Sequence, residues 1–280
     1  MRHSVLASPI LRRRRRRLVL QRIVLLVLLI ILLLSGAVFL LRLPAVTISE
    51  VKIVGVRAVS NSELLALAQQ SLTEKYFGFL SKRSILTAPR GSIRKKVLDT
   101  YPEIKSASVR QKGLTSLSLE VSERAPIGLW CAGAKEKQET SASSTPCYFM
   151  DDLGYIFASA PLFDGSVFIV YTGLITKEVP LRETYSITPS FAQISTFAES
   201  LRKEGIRVVS ISADVHGEKI MTLEHGIKIF LNDSLPLSKV KDNLNVTLNE
   251  IGYFKEAIRP NIEYVDLRFG NKVFFKKILP

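Results

Sequence analysis

The run of residues 23–41 carries no charge, and only Ser35 and Gly36 interrupt its aliphatic side chains. A bilayer core about 30 Å thick needs roughly 20 apolar residues at about 1.5 Å rise each, so a helix over this run spans it. Arg22 and Arg42 bracket the run, where long cationic side chains reach the headgroups. No later stretch approaches this length without a charge. The sequence therefore implies one membrane span.

Charge sets the expected orientation. Arg2, Arg12 to Arg17 and Arg22 precede the run with no acidic residue among them. Under the positive-inside rule such a tail stays in the cytoplasm and the C-terminal part lies outside, a single-pass type II arrangement. A cleaved signal peptide is the rival reading, because Ser35, Gly36 and Ala37 are small. Secretory apolar regions are usually about 7 to 15 residues long, however, and this one is longer and ends at Arg42. Arginine blocks also bind nucleic acid by releasing counterions from phosphates. Here the block abuts a membrane helix, where it sets topology and rests on anionic lipid. Subtracting these eight arginines from the net charge of +14 leaves +6, so the expectation is no nucleic-acid partner.

The residues after Arg42 suffice for two small domains, each with its own core. Residues 46–54 alternate as a strand that Gly55 ends. Ser60 and Glu63 match a capping box, and Leu64, Leu65, Leu67 and Ala68 follow at helical spacing, predicting a helix over 61–70. Residues 72–86 read as loop. Thr87 to Pro89 open a second helix running through Asp99, stopped by Tyr101-Pro102. Residues 104–111 and 117–121 read as strands around the Lys112-Gly113 turn. The order strand, helix, helix, strand, strand makes a three-stranded sheet with two helices on one face.

A second domain is expected from about Ala125 to the end. Strands are predicted over 127–131, 147–150, 155–157, 167–171, 206–213, 219–223, 227–231, 263–269 and 272–278. Two helices interrupt them. Residues 189–204 carry Phe191, Ile194, Phe197, Ala198 and Leu201 at core spacing, with Gly205 as a stop. Residues 236–250 carry Val240, Leu244 and Leu248, a stripe that Ile251 continues. The fold class is α+β: basic tail 1–22, span 23–41, first domain 46–124, second domain 125–280.

Cys131 and Cys147 flank a Ser-, Thr- and Lys-rich stretch that reads as an exposed loop. A disulfide at its base is expected, worth about 3 kcal/mol in the chain-entropy account. Two buried thiols are the other arrangement the sequence allows.

No enzyme constellation emerges. His3, His216 and His225 show no metal-ligand spacing with the cysteines, so no metal is expected. There is no Gly-rich phosphate loop, no Gly-x-Ser-x-Gly elbow and no Ser-x-x-Lys, and no cofactor is expected. Asp151, Asp152, Glu178 and Glu183 are the carboxylates one could nominate for acid/base work; turn and surface roles suit them better. Asn232-Asp-Ser and Asn245-Val-Thr fit the glycosylation pattern, which is common by chance.

The stretches VKIVG at 51–55, VSNSEL at 59–64, YPEI at 101–104 and SLEVSERAP at 118–126 resemble a POTRA domain, specifically that of the FtsQ/DivIB bacterial cell-division proteins. The similarity continues through Trp130, DLGYIF at 152–157 and YVDLRFGNKV at 264–273. The order of tail, span, POTRA and β-domain agrees as well. The Cys131/Cys147 loop is a departure from that family, and the resemblance assigns it no role.

The resemblance implies a non-catalytic scaffold of the division septum that binds a bitopic FtsB/FtsL-like pair outside the membrane, together with other divisome components. It maps the partner-contacting zone onto Arg268, Phe269, Gly270 and Asn271 and onto the strand after them, with Val273, Phe274 and Phe275. A sheet edge exposes unpaired amides and carbonyls to which a partner can add a strand. Side chains on one face then specify the partner: Phe269, Val273 and Phe275 together, or Phe274 on the other. The alternative is that these aromatics fill the domain core. Two other functions compete: a POTRA-bearing factor of polypeptide transport or assembly, and a membrane-anchored cell-wall enzyme, which the missing catalytic set disfavours.

Overall fold

The computed structural model of the protein describes residues 9–41, 43–76, 80–132, 146–161, 167–187, 189–253, 262–270 and 272–278. The chain divides into two compact units between Glu123 and Arg124. Helix α1 (Pro9–Leu40) contains a stretch, Leu18–Leu40, long and apolar enough to cross a membrane. Its apolar side chains point outward all round, as suits lipid rather than a protein core.

Beyond α1 the first unit comprises β1 (Glu50–Val54), α2 (Asn61–Thr73), β2 (Lys75–Tyr76), β3 (Leu80–Ser81), α3 (Arg90–Thr100), β4 (Ile104–Lys112) and β5 (Ser116–Glu123). The main sheet has the order β1-β5-β4, with β1 and β5 parallel and β4 and β5 antiparallel. Both helices cover one face: Leu64, Ala68, Leu72, Ile93 and Val97 pack on Leu117, Leu119 and Val121. A Cβ at Gly55, where φ is +94°, would collide with the Val121 carbonyl, so the end of β1 requires glycine.

Four local expectations are corrected. The first strand starts at Glu50 rather than residue 46, because Pro44–Val46 forms a 3-10 turn and Thr47 bridges Ser84. Helix α2 outruns its predicted end at residue 70, since Leu72 extends the buried Leu64-Ala68 stripe by another turn. The Ser60/Glu63 capping box does not form. Ser60 Oγ shares a 2.7 Å hydrogen bond with Ser62 Oγ, and the Tyr101 hydroxyl donates to Glu63. The 72–86 stretch is also not all loop, for β2 and β3 pair within it.

The second unit comprises β6 (Gly128–Cys131), β7 (Cys147–Met150), β8 (Ile156–Ala160), β9 (Ile169–Gly173), α4 (Phe191–Lys203), β10 (Val208–Ala213), β11 (Lys219–Leu223), β12 (Lys228–Leu231), α5 (Leu237–Glu250), β13 (Ile262–Phe269) and β14 (Lys272–Lys277). All nine strands join one sheet in the order β14-β13-β12-β11-β10-β9-β6-β7-β8. Strands β9 and β10 are parallel neighbours joined through α4, and β12 and β13 are parallel neighbours joined through α5. Parallel neighbours need a crossover, and two crossovers of the usual hand lay both helices on the same face. The paired row Trp130, Tyr171, Ile211, Met221, Ile229 and Val265 lies under them.

Helix α4 buries Phe191, Ile194, Phe197, Ala198 and Leu201 and is capped by Ser190 with Gln193, a box the sequence reading passed over. Helix α5 buries Val240, Leu244 and Leu248. Cys131 and Cys147 stand opposite each other on β6 and β7 and form a disulfide. Between them, residues 133–145, the predicted exposed loop, lie outside the described residues.

The boundary itself is tightly held on both sides. The Glu123 carboxylate accepts hydrogen bonds of 2.9–3.0 Å from the amides of Arg57, Ala58 and Val59. Partial burial pushes this carboxyl up, but the amides of Val59, Arg57 and Ala58 outweigh that and hold it below its ordinary value. The next residue, Arg124, pairs with buried Asp151 and lies 4.0 Å over the Tyr155 ring.

Two outcomes are expected. Glu123→Gln should destabilise the first unit by about 1–3 kcal/mol. It should speed amide exchange at Ala58 and Val59, while Trp130, the single tryptophan and buried in the second unit, reports an unchanged fluorescence transition. Because the folded carboxyl is held low, the wild-type contribution is complete above the ordinary glutamate range and is lost as pH falls through the lowered value. Conversely, replacing both cysteines by serine should cost the second unit about 3 kcal/mol, read from the Trp130 transition in denaturant.

Candidate partner-binding edge

The nine-stranded sheet ends at β8 on one side and β14 on the other. The start of β8 is covered: Ile156 donates to the Glu183 carbonyl and accepts from the Arg182 amide, and Tyr155 bridges Thr184. Strand β14 pairs with β13 on its inner side and has no strand on its outer side among the described residues. It therefore presents a row of backbone donors and acceptors to a partner.

The hairpin that carries this edge is fixed from both faces. On the helix side, Val265 and Leu267 are 0% and 1% exposed, and Val273 packs against the same core. On the far side, Arg268 forks onto Asp266 through Nε at 3.0 Å and Nη2 at 2.7 Å, and Nη1 donates to Glu218 at 2.8 Å. The guanidinium lies 5.3 Å over the Phe230 ring and 5.8 Å over Phe269. Hydrogen bonding from Arg268 holds the Asp266 carboxyl below its ordinary value despite burial, and the same bonds raise Arg268. At the tip, Asn243 Nδ2 donates to the Gly270 carbonyl at 3.2 Å and Asn232 Nδ2 to the Arg268 carbonyl at 3.4 Å.

Of the residues predicted for partner contact, Phe269, Phe274 and Phe275 are 56%, 52% and 46% exposed, so they do not fill the core. Val273 is the one drawn inward. The expected grouping of Phe269 with Phe275 is corrected. Phe275 stands opposite Val265 on the helix side, whereas Phe269 meets Phe274 edge-to-face at 5.3 Å, with Phe274 opposite Asp266 on the far side. The register shifts between Asp266 and Phe269, and one extra residue flips the alternation. Gly270 sits at φ +66° in the turn, and Asn271 lies outside the described residues.

Lys272, Lys276 and Lys277 add positive charge along β14, with Lys276 paired to Glu263 at 2.7 Å. The supporting residues Asp266, Glu218, Phe230, Asn232 and Asn243 escaped sequence reasoning. The spacing of Asp266 and Arg268 put both on one strand face, which was a usable signal. The other three-dimensional neighbours left none.

Two of the four nominated carboxylates are engaged in structure. Asp151 accepts from the amides of Leu153 and Tyr155 as well as from Arg124, and Glu183 pairs with Lys177. His216 and His225 are exposed on turns, and among the described residues no three His, Cys, Asp or Glu side chains group to hold a metal ion. Two surface hollows flank α4. One of about 490 Å³ lies against α5 and is lined by Phe197, Leu237 and Lys241. The other, of about 650 Å³, lies against the sheet and holds Glu199 and Arg202 already paired with each other at 2.7 Å.

Arg268→Ala should destabilise the second unit by about 1–3 kcal/mol, because it leaves the Asp266 carboxylate buried without its partner. Asp266→Asn in the same background should recover part of that loss, and the Trp130 transition measures both. The chain matches no protein-family model and no curated protein sequence.

Proposed function

We propose that the chain is a non-enzymatic, single-pass scaffold of the bacterial division septum, similar to FtsQ/DivIB proteins, that captures partner proteins by strand addition. The observation that carries this reading is the outer edge of β14, which has no strand beside it among the described residues and is flanked by three exposed phenylalanines. Strand addition draws affinity from main-chain hydrogen bonds and specificity from alternate side chains. The basic edge favours an acidic partner segment, such as one from an FtsB/FtsL-like bitopic protein. The arginine-rich tail favours a cytoplasmic N-terminus, with the domains after the span outside. Apart from the small β2–β3 hairpin, the strand-helix-helix-strand-strand order around the three-stranded sheet supports reading the first unit's globular part as a POTRA domain, which offers a second divisome component its own sheet edge.

Two measurements test this. A fluorescent fusion to the cytoplasmic tail should concentrate at the division site; an even signal around the envelope would instead favour a transport or assembly factor. Phe275→Glu should weaken co-purification of the FtsB-like partner by about tenfold, or about 1.4 kcal/mol, with the Trp130 transition unmoved. Undiminished capture would remove β14 as the docking edge.

A further inference from the structure

The first unit has two distinct ends. Strand β1 and its parallel neighbour β5 both start at one end, where the β4–β5 turn and the start of α3 also lie: Arg90 Nη2 donates to Gln111 Oε1 at 2.9 Å. The other end holds Gly55, the start of α2 and Glu123. The chain arrives from α1 at the first of these ends. From Leu41 to Ile48 the backbone can reach at most about 25 Å, and the 3-10 turn Pro44–Val46 shortens that. Hydrogen bonds run on through the connection, from Leu43 to Leu40, from Val46 to Leu43 and from Thr47 to Pro44. The segment 83–85 is then bound directly to it: Ile48 donates to the Arg83 carbonyl and Ile85 to the Val46 carbonyl, each at 2.8 Å. The turn at 113–115 joins it where Ser49 donates to the Thr115 carbonyl at 2.9 Å.

Two leucines stand out at this end. Leu86 is 72% exposed and Leu114 is 61% exposed, each at the tip of a segment bonded to the connection. Basic residues adjoin them in the sequence: Arg83 and Arg90 on either side of Leu86, and Lys112 two residues before Leu114. The acids nearby are already engaged. Glu74 holds Lys82 at 2.6 Å and Lys96 at 3.0 Å, and Glu50 faces Lys52 at 3.4 Å and Ser116. Exposed apolar tips with basic residues beside them in the sequence, held within a short connection of a membrane span, match the chemistry of a bilayer interface: acyl chains for the leucines and phosphates for the cations.

We propose that this end of the first unit docks on the membrane, with Leu86 and Leu114 entering the outer edge of the acyl layer and Arg83, Arg90 and Lys112 on anionic headgroups. The leaflet is the one into which the C-terminal end of α1 opens, whichever side that is. Docking adds to the single-span anchor a second, salt-sensitive contact that orients the unit on the bilayer.

The test uses the full chain in bilayer nanodiscs of mixed phosphatidylglycerol and phosphatidylcholine. Nitroxide labels go on Leu86→Cys, on Leu114→Cys and, as the far-end reference, on Asn61→Cys; the disulfide leaves the two native cysteines unlabelled. Collision with lipid-soluble oxygen should exceed collision with a water-soluble nickel complex at 86 and 114, and the order should reverse at 61. Adding Arg83→Glu and Lys112→Glu should abolish the oxygen excess at 86 while the circular-dichroism melt of the chain is retained. Nickel access at 86 and 114 equal to that at 61 overturns the proposal. So does shielding from both reagents, which would mean a protein covers the leucines, and so does an oxygen excess that survives the two charge reversals.

Discussion

Three parallel residue pairs attach the C-terminal hairpin to the rest of its sheet: Lys228 with Tyr264, Ile229 with Val265 and Phe230 with Asp266. Without them the sheet would stop at β12 and the candidate docking edge would not exist. The attachment is short, so side chains on both faces must secure it. Val265 and Leu267 contribute apolar burial under the helices, about 1.5–3 kcal/mol each for full burial. On the far face the Asp266–Arg268–Glu218 group does the equivalent with charge, aided by the Phe230 ring beneath the guanidinium. With both faces engaged, the outer edge and the exposed rings of Phe269, Phe274 and Phe275 are what the hairpin presents among the described residues.

Periodic features were legible in the sequence. The membrane run, the Leu64-Ala68 stripe, the five core positions of α4 and the stripe of α5 each follow from one face meeting one environment. What escaped was set by interactions that periodicity cannot report. The Ser60/Glu63 box lost its glutamate to Tyr101, thirty-eight positions away. The first strand lost its opening residues to a 3-10 turn that pairs them with Ser84. The parallel pairing of β9 with β10 and of β12 with β13 depends on contacts that only the folded chain brings together. At the candidate edge, period-two reasoning placed Phe269 with Phe275, and a single register shift moved it across the sheet. The exposed hairpin aromatics were foreseeable, and their distribution between faces was not.

Positive charge recurs in three settings along the chain. In the tail it precedes the apolar run of α1. Around Leu86 and Leu114 it borders the connection from α1. On β14 it lines the outer strand of the nine-stranded sheet. The last two lie at exposed sites and weaken with ionic strength, unlike the buried Arg124–Asp151 pair that organises the start of the second unit.

The disulfide pins Cys131 against Cys147 at the point where β6 and β7 part. Its covalent closure settles the strand pairing at the mouth of the intervening segment, whatever that segment contains. The sheet's alignment is thereby insulated from changes in length or composition between residues 133 and 145. Insertions there would lengthen a closed ring and leave the ladder below it unaltered. In evolutionary terms, this is a place where the chain can diversify without endangering the fold.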